Sequence, residues 1–267
     1  MSRIAAAFSR LRDERRTGLV AFLTVGYPSL DDTLRLVPAL IEGGADIVEL
    51  GVPFSDPLAE GPTIQRSSHH ALLQGVTPGV CLEVVAKLRE AGVEAPLILM
   101  GYYNPLLAYG LEPFSGDARR AGADGIIAVD LPPEESHPLR DACRKNDLDL
   151  IYLLAPTSTD ERIGLVASLA SGFVYCVSVT GVTGARRELP EGLSSFVSRV
   201  RARTPLPLAV GFGISKPTHF RAVGRIADAA VIGSAIIDEI DRSDPSEIAG
   251  KVKRYAEVVT GRRRAAV

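Results

Sequence analysis

Short apolar runs recur along the chain, and each is separated from the next by a segment long enough for a helix. Near-continuous apolar runs of this kind are typical of parallel strands that are buried on both faces. We therefore predict eight strands, over residues 18–26, 46–51, 96–101, 124–130, 149–155, 173–178, 207–213 and 228–234.

The segments between these runs have helical periodicity. Residues 31–44 and 78–92 are two examples, and each ends in a glycine, which commonly stops a helix before the next strand. Eight strand–helix units in about 250 residues predict an α/β fold, a (β/α)8 TIM barrel. A doubly wound sheet is the competing fold, but the turn after the first run, "TVGYPSLDD", lacks a GxGxxG pattern. We find no composition break and expect one barrel domain over residues 1–267.

Composition narrows the classes of function. The net charge is -2, so no global field attracts the chain to nucleic acid or to a membrane. The first residues, "MSRIAAAFSRLRDERRTG", predict an additional amphipathic surface helix instead of a signal peptide, and no apolar run reaches the roughly 20 residues of a membrane span. Cys81, Cys143 and Cys176 are few and far apart, which favours a reducing, cytoplasmic location over a disulfide or zinc framework.

Candidate chemistry is sought at the strand ends, because TIM-barrel active sites lie there and in the loops that follow. Glu49 lies inside the second apolar run, where loss of solvent raises the pKa of a carboxyl group toward the range of a general acid–base. A buried Arg or Lys partner is the structural alternative, but no predicted strand has a Lys or Arg in its interior. The long loop that follows contains two further acids, Asp56 and Glu60, which compete for any role there.

Glycine-rich loops follow the last two predicted strands. Gly211, Gly213 and Gly233 let the backbone approach a ligand, and Ser215 and Ser234 are candidate N-caps of the helices that follow. Backbone N–H groups at a helix N-terminus bind phosphate, and such a site recurs in TIM barrels at this place. Residues 178–192, after the sixth strand, are rich in glycine and predict a mobile lid.

Two kinds of chemistry receive no support from the sequence. Neither a lysine in a predicted strand nor a histidine at a strand end is present, which disfavours a Schiff base and a catalytic metal. The residues favour proton transfer by carboxylates on a phosphorylated substrate, without a cofactor.

Several motifs resemble the tryptophan synthase α subunit family. They are "ELGVPFSDPLAEGPTIQ" (49–65), "GYYNPLLAYG" (101–110), "DLPPEE" (130–135), "APTST" (155–159), "VSVTGVTGAR" (177–186) and "VGFGIS" (210–215). The resemblance implies a lyase that cleaves indole-3-glycerol phosphate into indole and glyceraldehyde 3-phosphate in tryptophan biosynthesis. It also implies an αββα heterotetramer with a β subunit that carries pyridoxal phosphate, and no cofactor in this chain.

The resemblance also assigns site positions. It implies catalysis by Glu49 and Glu60, substrate contacts by Phe22, Tyr102, Tyr175, Thr183 and Phe212, and phosphate contacts by Gly184, Gly213, Gly233 and Ser234. The family usually has aspartate where this chain has Glu60, whose extra methylene moves the carboxylate by about 1.5 Å. We expect an active enzyme in which the loop is repositioned to compensate, or in which Asp56 takes part.

Three alternatives remain open at this stage. A pentose-phosphate epimerase would need metal-binding residues at strand ends, and an indole-glycerol-phosphate synthase would need a strand lysine. The chain could also be a weakly active or inactive α subunit that acts mainly as a regulatory partner of the β subunit.

Overall fold

Eight parallel strands close into a barrel in the order of the sequence. The computed structural model describes residues 1–177, 192–211 and 213–263. The strands, β1 to β8, are Gly18–Thr24, Ile47–Gly51, Leu97–Gly101, Gly125–Ala128, Asp149–Leu154, Val174–Val177, Leu208–Gly211 and Ala229–Ile232. Each of the eight predicted runs contains one of them, and β8 pairs with β1, so the predicted (β/α)8 fold is confirmed.

Helices surround the barrel. They are α1 (Arg3–Asp13), α2 (Leu30–Gly43), α3 (Pro62–Leu73), α4 (Pro78–Glu90), α5 (Tyr103–Tyr109), α6 (Leu111–Ala121), α7 (His137–Lys145), α8 (Asp160–Leu169), α9 (Leu193–Arg201), α10 (Pro217–Val223), α11 (Ser234–Asp241) and α12 (Ile248–Val259), with a 3-10 turn at Pro133–Glu135. α2 illustrates how the sequence sets the ends. The Ser29 side chain accepts a hydrogen bond from Asp32 N–H at its start, and Gly44 takes a left-handed φ of 113° at its end.

The additional N-terminal helix is present and closes the bottom of the barrel. One face of α1 buries Ile4, Ala7, Phe8 and Leu11, as its amphipathic pattern predicts. The Phe8 ring lies 5.6 Å from the ring of Phe173, just before β6. α1 therefore covers the N-terminal ends of the strands and leaves their C-terminal ends for the chemistry.

A repeated hydrogen-bond pair, which we call the strand clamp, joins each odd strand to the next even one at the bottom of the barrel. In each clamp a leucine N–H donates to a side-chain oxygen just before the next strand, and that residue's N–H donates back to the leucine carbonyl. The clamps are Leu19 with Asp46, Leu97 with Asp124, Leu150 with Ser171 and Leu208 with Asp228, with side-chain contacts of 3.0, 2.9, 3.0 and 2.7 Å.

Three of the clamps are charged, and each is paired with an arginine. The pairs are Arg16 with Asp46, Arg89 with Asp124 and Arg201 with Asp228. Arg16 contacts both carboxylate oxygens of Asp46, at 2.7 and 2.8 Å. Because Asp46 and Asp124 are almost completely buried, these arginines balance charges that would otherwise be costly inside the protein.

In the described part of the chain, no single helix is long and apolar enough to cross a membrane; α3 and α4 reach that length and composition only together, and they meet at 95°.

Candidate active site

A cavity of about 190 Å³ opens at the C-terminal ends of the strands. Side chains of four strands form its floor, namely Phe22, Glu49, Met100 and Tyr175. Wider clefts of about 980 and 620 Å³ lie at the opposite end around α1, where their walls include the ion pairs Arg3–Asp124 and Arg10–Asp46. The smaller cavity is lined by Glu49 and Glu60, two of the three acids that the sequence singled out, so we take it as the candidate active site.

Glu49 faces this cavity from the middle of β2, beside Phe22 of β1 in the strand register. Its side chain is fully buried, and neither carboxylate oxygen has a hydrogen-bond partner among the described residues. Burial, and secondarily the negative charge of Glu60, raise the pKa of Glu49 from 4.5 to about 8. A carboxyl group in this state can give a proton near neutral pH and take it back.

Glu60 supplies the second carboxyl group of the cavity. It lies in the loop 52–61 between β2 and α3 and is half-buried, and burial raises its pKa from 4.5 to about 7. The Gln65 side chain, in the first turns of α3, donates to the Glu60 carbonyl oxygen at 2.9 Å. Asp56 is exposed, does not line the cavity, and accepts a hydrogen bond from the Ser55 hydroxyl. The structure thus brings Glu60, not Asp56, to the site.

Tyr102 anchors the loop that carries Glu60. Its hydroxyl accepts a hydrogen bond of 2.8 Å from Ala59 N–H, and its ring lies 5.2 Å from that of Phe54 in the same loop. Burial, and then the charge of Glu60, raise the pKa of the Tyr102 phenol, which indicates that phenol and carboxylate are close. Tyr102 borders a small extension of the cavity together with Phe54 and Glu60.

The aromatic walls explain two of the glycines. A Cβ atom at Gly51 would lie 2.5 Å from Phe22 Cζ, and one at Gly211 would lie 2.2 Å from Tyr175 Oη. Gly211 therefore makes room for a tyrosine ring, in addition to any part it has in the loop after β7. Tyr175 is buried, and burial together with the charges of Glu49 and Glu60 raises the pKa of its phenol well above 10.

The glycine-rich end of the cavity is formed by Gly213, Gly233 and Ser234. Gly213 has a left-handed φ of 77°, which favours glycine, and Gly233 is the N-cap of α11. Because Ser234 is the first residue of the helix, its N–H has no partner within the helix and is available to an anion. The predicted caps are wrong: α10 is capped by Lys216 and α11 by Gly233, so Ser215 and Ser234 each lie one position from the cap.

Sequence reasoning missed two polar residues of the site. Thr63, in the first turn of α3, and Asp238, in α11, both line the cavity and are joined by a hydrogen bond of 3.3 Å. Asp238 lies four residues after Ser234 and so on the same helix face, which is the signal that could have found it. Three predicted site residues lie outside the described residues: Thr183, Gly184 and Phe212. The same holds for the predicted lid, except for its last residue, Gly192.

The described lining of the cavity contains three carboxyl groups, those of Glu49, Glu60 and Asp238, and neither lysine nor arginine. Among the described residues, the groups of this lining that could donate to an anion are backbone N–H groups and hydroxyls. Within the described residues, no group of three His, Cys, Asp or Glu side chains is arranged to hold a metal ion.

Comparison with known proteins gives a consistent result. The family model described as tryptophan synthase alpha chain matches residues 8–266. The tryptophan synthase alpha chain of Roseiflexus sp. (strain RS-1) is 54% identical over 261 residues, covering 98% of this chain and 100% of the relative. The relative from Chloroflexus aggregans is 51% identical over 265 residues, with 99% of each chain covered.

Solved structures agree with these relatives. Tryptophan synthase subunit alpha from Legionella pneumophila str. Paris superposes with a TM-score of 0.88 at 36% identity, and 98% of this chain and 100% of that chain are covered. The coverage is nearly complete in both directions, and the matched barrel contains the cavity with the carboxyl groups of Glu49 and Glu60. The chain belongs to the tryptophan synthase alpha chain family.

Proposed function

We propose that this chain cleaves indole-3-glycerol phosphate into indole and glyceraldehyde 3-phosphate, and that Glu49 and Glu60 carry out the proton chemistry. The observation that supports these roles is that both carboxyl groups border one cavity and have pKa values raised to about 8 and about 7. One of them is therefore protonated and the other ionised near neutral pH, which is what a retro-aldol cleavage needs.

The reaction balances with Glu49 as the proton shuttle. Protonated Glu49 gives its proton to indole C3, and positive charge develops on the indole nitrogen. Ionised Glu60 accepts the indole N–H hydrogen bond and stabilises that charge. The C3–C3′ bond then breaks, its electron pair restores the indole ring, and the proton of the C3′ hydroxyl returns to Glu49. Aldehyde and indole leave, and both acids are in their starting states.

The cavity accommodates the substrate in two parts. Phe22 and Tyr175 offer apolar walls for the indole ring, and Phe212 is assigned to the same role. The phosphate is assigned to the N–H groups at Gly213, Gly233 and Ser234, where α11 begins, together with Gly184. Thr183 is assigned to the lid. Tyr102 is assigned to substrate binding, and its hydroxyl also accepts from Ala59 N–H in the loop that carries Glu60.

A β subunit is the partner implied by the family. We propose an αββα heterotetramer in which the β subunit carries pyridoxal phosphate, while the cleavage uses the residues of this chain. A cytoplasmic location is supported by three buried free cysteines, which are typical of a reducing compartment. We also propose that residues 1–267 form one barrel domain, which the closure of all eight strands into a single barrel supports.

The test is the release of indole from indole-3-glycerol phosphate by the purified chain, with and without a β subunit. Activity of the wild type, a loss of roughly 1,000-fold or more in Glu49→Gln, and a smaller loss in Glu60→Gln are expected. Turnover absent under both conditions, with β-subunit activity still stimulated, would favour a purely regulatory subunit. Unchanged turnover in Glu60→Gln would remove Glu60 from the mechanism.

A further inference from the structure

Two helices start at the rim of the cavity and lie beside each other. α3 begins at Pro62, two residues after Glu60, and α11 begins at Ser234, where the phosphate is proposed to bind. Both helices pack against β1 as well as against each other. A displacement of one helix would therefore displace the other. The start of α3 follows Glu60, and the start of α11 is the proposed phosphate site.

Polar contacts join these helices at two successive levels, which together we call the interhelix latch. Thr63 Oγ1 donates to Asp238 Oδ1 at 3.3 Å, and Arg66 forms an ion pair with Asp241 one turn further along. The Tyr27 hydroxyl donates to the same Asp241 carboxylate. From the first pair to the second, the residue number rises by three in each helix, so the two helices are parallel.

Asp238 borders the cavity, whereas Arg66 and Asp241, the second pair of the latch, do not line it. It follows Ser234 by four residues, which is roughly 6 Å along the helix axis. The described lining offers no lysine or arginine to balance its charge. Asp238 therefore combines two features: it accepts the Thr63 hydrogen bond, and it adds negative charge close to the place proposed for a phosphate dianion.

We propose that Asp238 is a positioning and affinity-setting residue with two separable effects. Through Thr63 it fixes the start of α3, and with it the loop that holds Glu60. Through its charge it weakens the binding of phosphorylated ligands at the start of α11, which lets the aldehyde phosphate leave. This inference rests on the function proposed above for the cavity.

Two substitutions separate these effects. Asp238→Asn keeps an oxygen that can accept from Thr63 but removes the charge. We expect inorganic phosphate to bind about 3- to 10-fold more tightly and KM for the substrate to fall, and we expect this gain to shrink at high salt. Thr63→Val removes the donor at nearly constant volume, and we expect kcat to fall roughly 10-fold with little change in KM. Thr63→Ser restores the hydroxyl and should restore kcat.

A pH profile distinguishes positioning from general loosening. If Thr63→Val lets Glu60 move toward solvent, the low-pH limb of kcat/KM moves to lower pH, and it returns in Thr63→Ser. The neighbours that face Glu60 electrostatically, Glu49, Tyr102 and Tyr175, are the same in both variants. A lower kcat in Thr63→Val with the low-pH limb of kcat/KM at its wild-type position would overturn the positioning effect.

Asp244→Asn is the matched control for charge, because Asp244 is exposed just beyond α11 and outside the cavity lining. It should leave phosphate binding unchanged. Calorimetric titration with inorganic phosphate tests the charge effect even without turnover, so it separates a failure of this inference from a failure of the proposed reaction. Equal phosphate affinity in Asp238→Asn and wild type would overturn the affinity-setting effect.

Discussion

The Tyr102 hydroxyl accepts a hydrogen bond of 2.8 Å from the N–H of Ala59, the residue immediately before Glu60. One phenol at the start of α5 thus fixes the backbone of the loop that presents the second carboxyl group. Asp130, after β4, in turn accepts a hydrogen bond of 2.7 Å from the N–H of Tyr103, the first residue of α5. The position of Glu60 therefore depends on two other strand ends.

Tyr102→Phe tests this dependence. The substitution keeps the ring beside Phe54 but removes the acceptor of Ala59 N–H. A displacement of the loop by about 1 Å would lower kcat by roughly 10- to 100-fold, because in the proposed mechanism the Glu60 carboxylate accepts the indole N–H hydrogen bond in the transition state. Steady-state cleavage kinetics measure the effect. The control is Tyr109→Phe at the end of α5. It removes the hydrogen bond from the Tyr109 hydroxyl to the Asp117 carboxylate of α6 and should retain wild-type kcat.

The pH dependence of kcat/KM should be bell-shaped, because the proposed mechanism requires Glu60 to be ionised and Glu49 to be protonated. Activity is expected to fall below about pH 7, as Glu60 takes up a proton, and above about pH 8, as Glu49 loses one. The two groups interact, so the apparent values belong to the pair. Glu60→Gln should remove the low-pH limb. A profile that stays flat from pH 5 to 9 would contradict the assignment of these two acids.

The ionisation of Glu49 should lower the free energy of unfolding as the pH rises. Its pKa is raised in the folded state, so its contribution to folding is complete below pH 4.5 and is lost as the pH rises toward about 8. Across this window the wild type should lose up to about 1.4 kcal/mol per pH unit relative to Glu49→Gln. Denaturant unfolding of both proteins at pH 5 and pH 8 measures the difference. A gap that does not grow with pH would mean that Glu49 is not buried as the structure has it.

Gly51→Ala should destabilise the barrel by about 1–3 kcal/mol, because the new methyl group would overlap the Phe22 ring. Phe22→Leu should recover part of the loss, since the shorter side chain vacates that space. Unfolding curves of the single and double variants measure the coupling. Gly164→Ala is the control, because a Cβ atom there meets nothing within 4 Å and the site is helical. Additive effects in the double variant would contradict the proposed overlap.

Asp46→Ala should cost about 3 kcal/mol of stability and leave kcat unchanged. It removes the acceptor of Leu19 N–H and the partner of Arg16, both at the bottom of the barrel. Chemical denaturation gives the first quantity, and cleavage kinetics well below the unfolding transition give the second. Asp13→Ala, an exposed acid at the end of α1, serves as the comparison and should change neither. A large loss of kcat in Asp46→Ala would show that the two ends of the barrel are coupled.

The strands and Glu49 could be predicted from sequence because both depend on local pattern. An apolar run interrupted by one acid already indicates a buried carboxyl group. The choice between Asp56 and Glu60 could not be made, because it depends on Tyr102, 43 residues away from Ala59. Thr63 and Asp238 lie 175 residues apart, and no periodicity reports such a contact. The predicted serine caps failed by one position, because Lys216 caps α10 and Gly233 caps α11, and neither cap makes a side-chain hydrogen bond that the sequence could signal.

The strand clamps repeat four times with the same polarity, always from an odd strand to the next even one. The barrel can therefore be divided into four similar quarters, each of which is a pair of strands joined by one strand clamp. The clamps lie at the end of the barrel opposite the candidate active site, so the contacts that hold the strands together are separate from the residues that line the cavity. The neutral Ser171 in the third clamp shows that the hydrogen-bond pair forms without a charged partner.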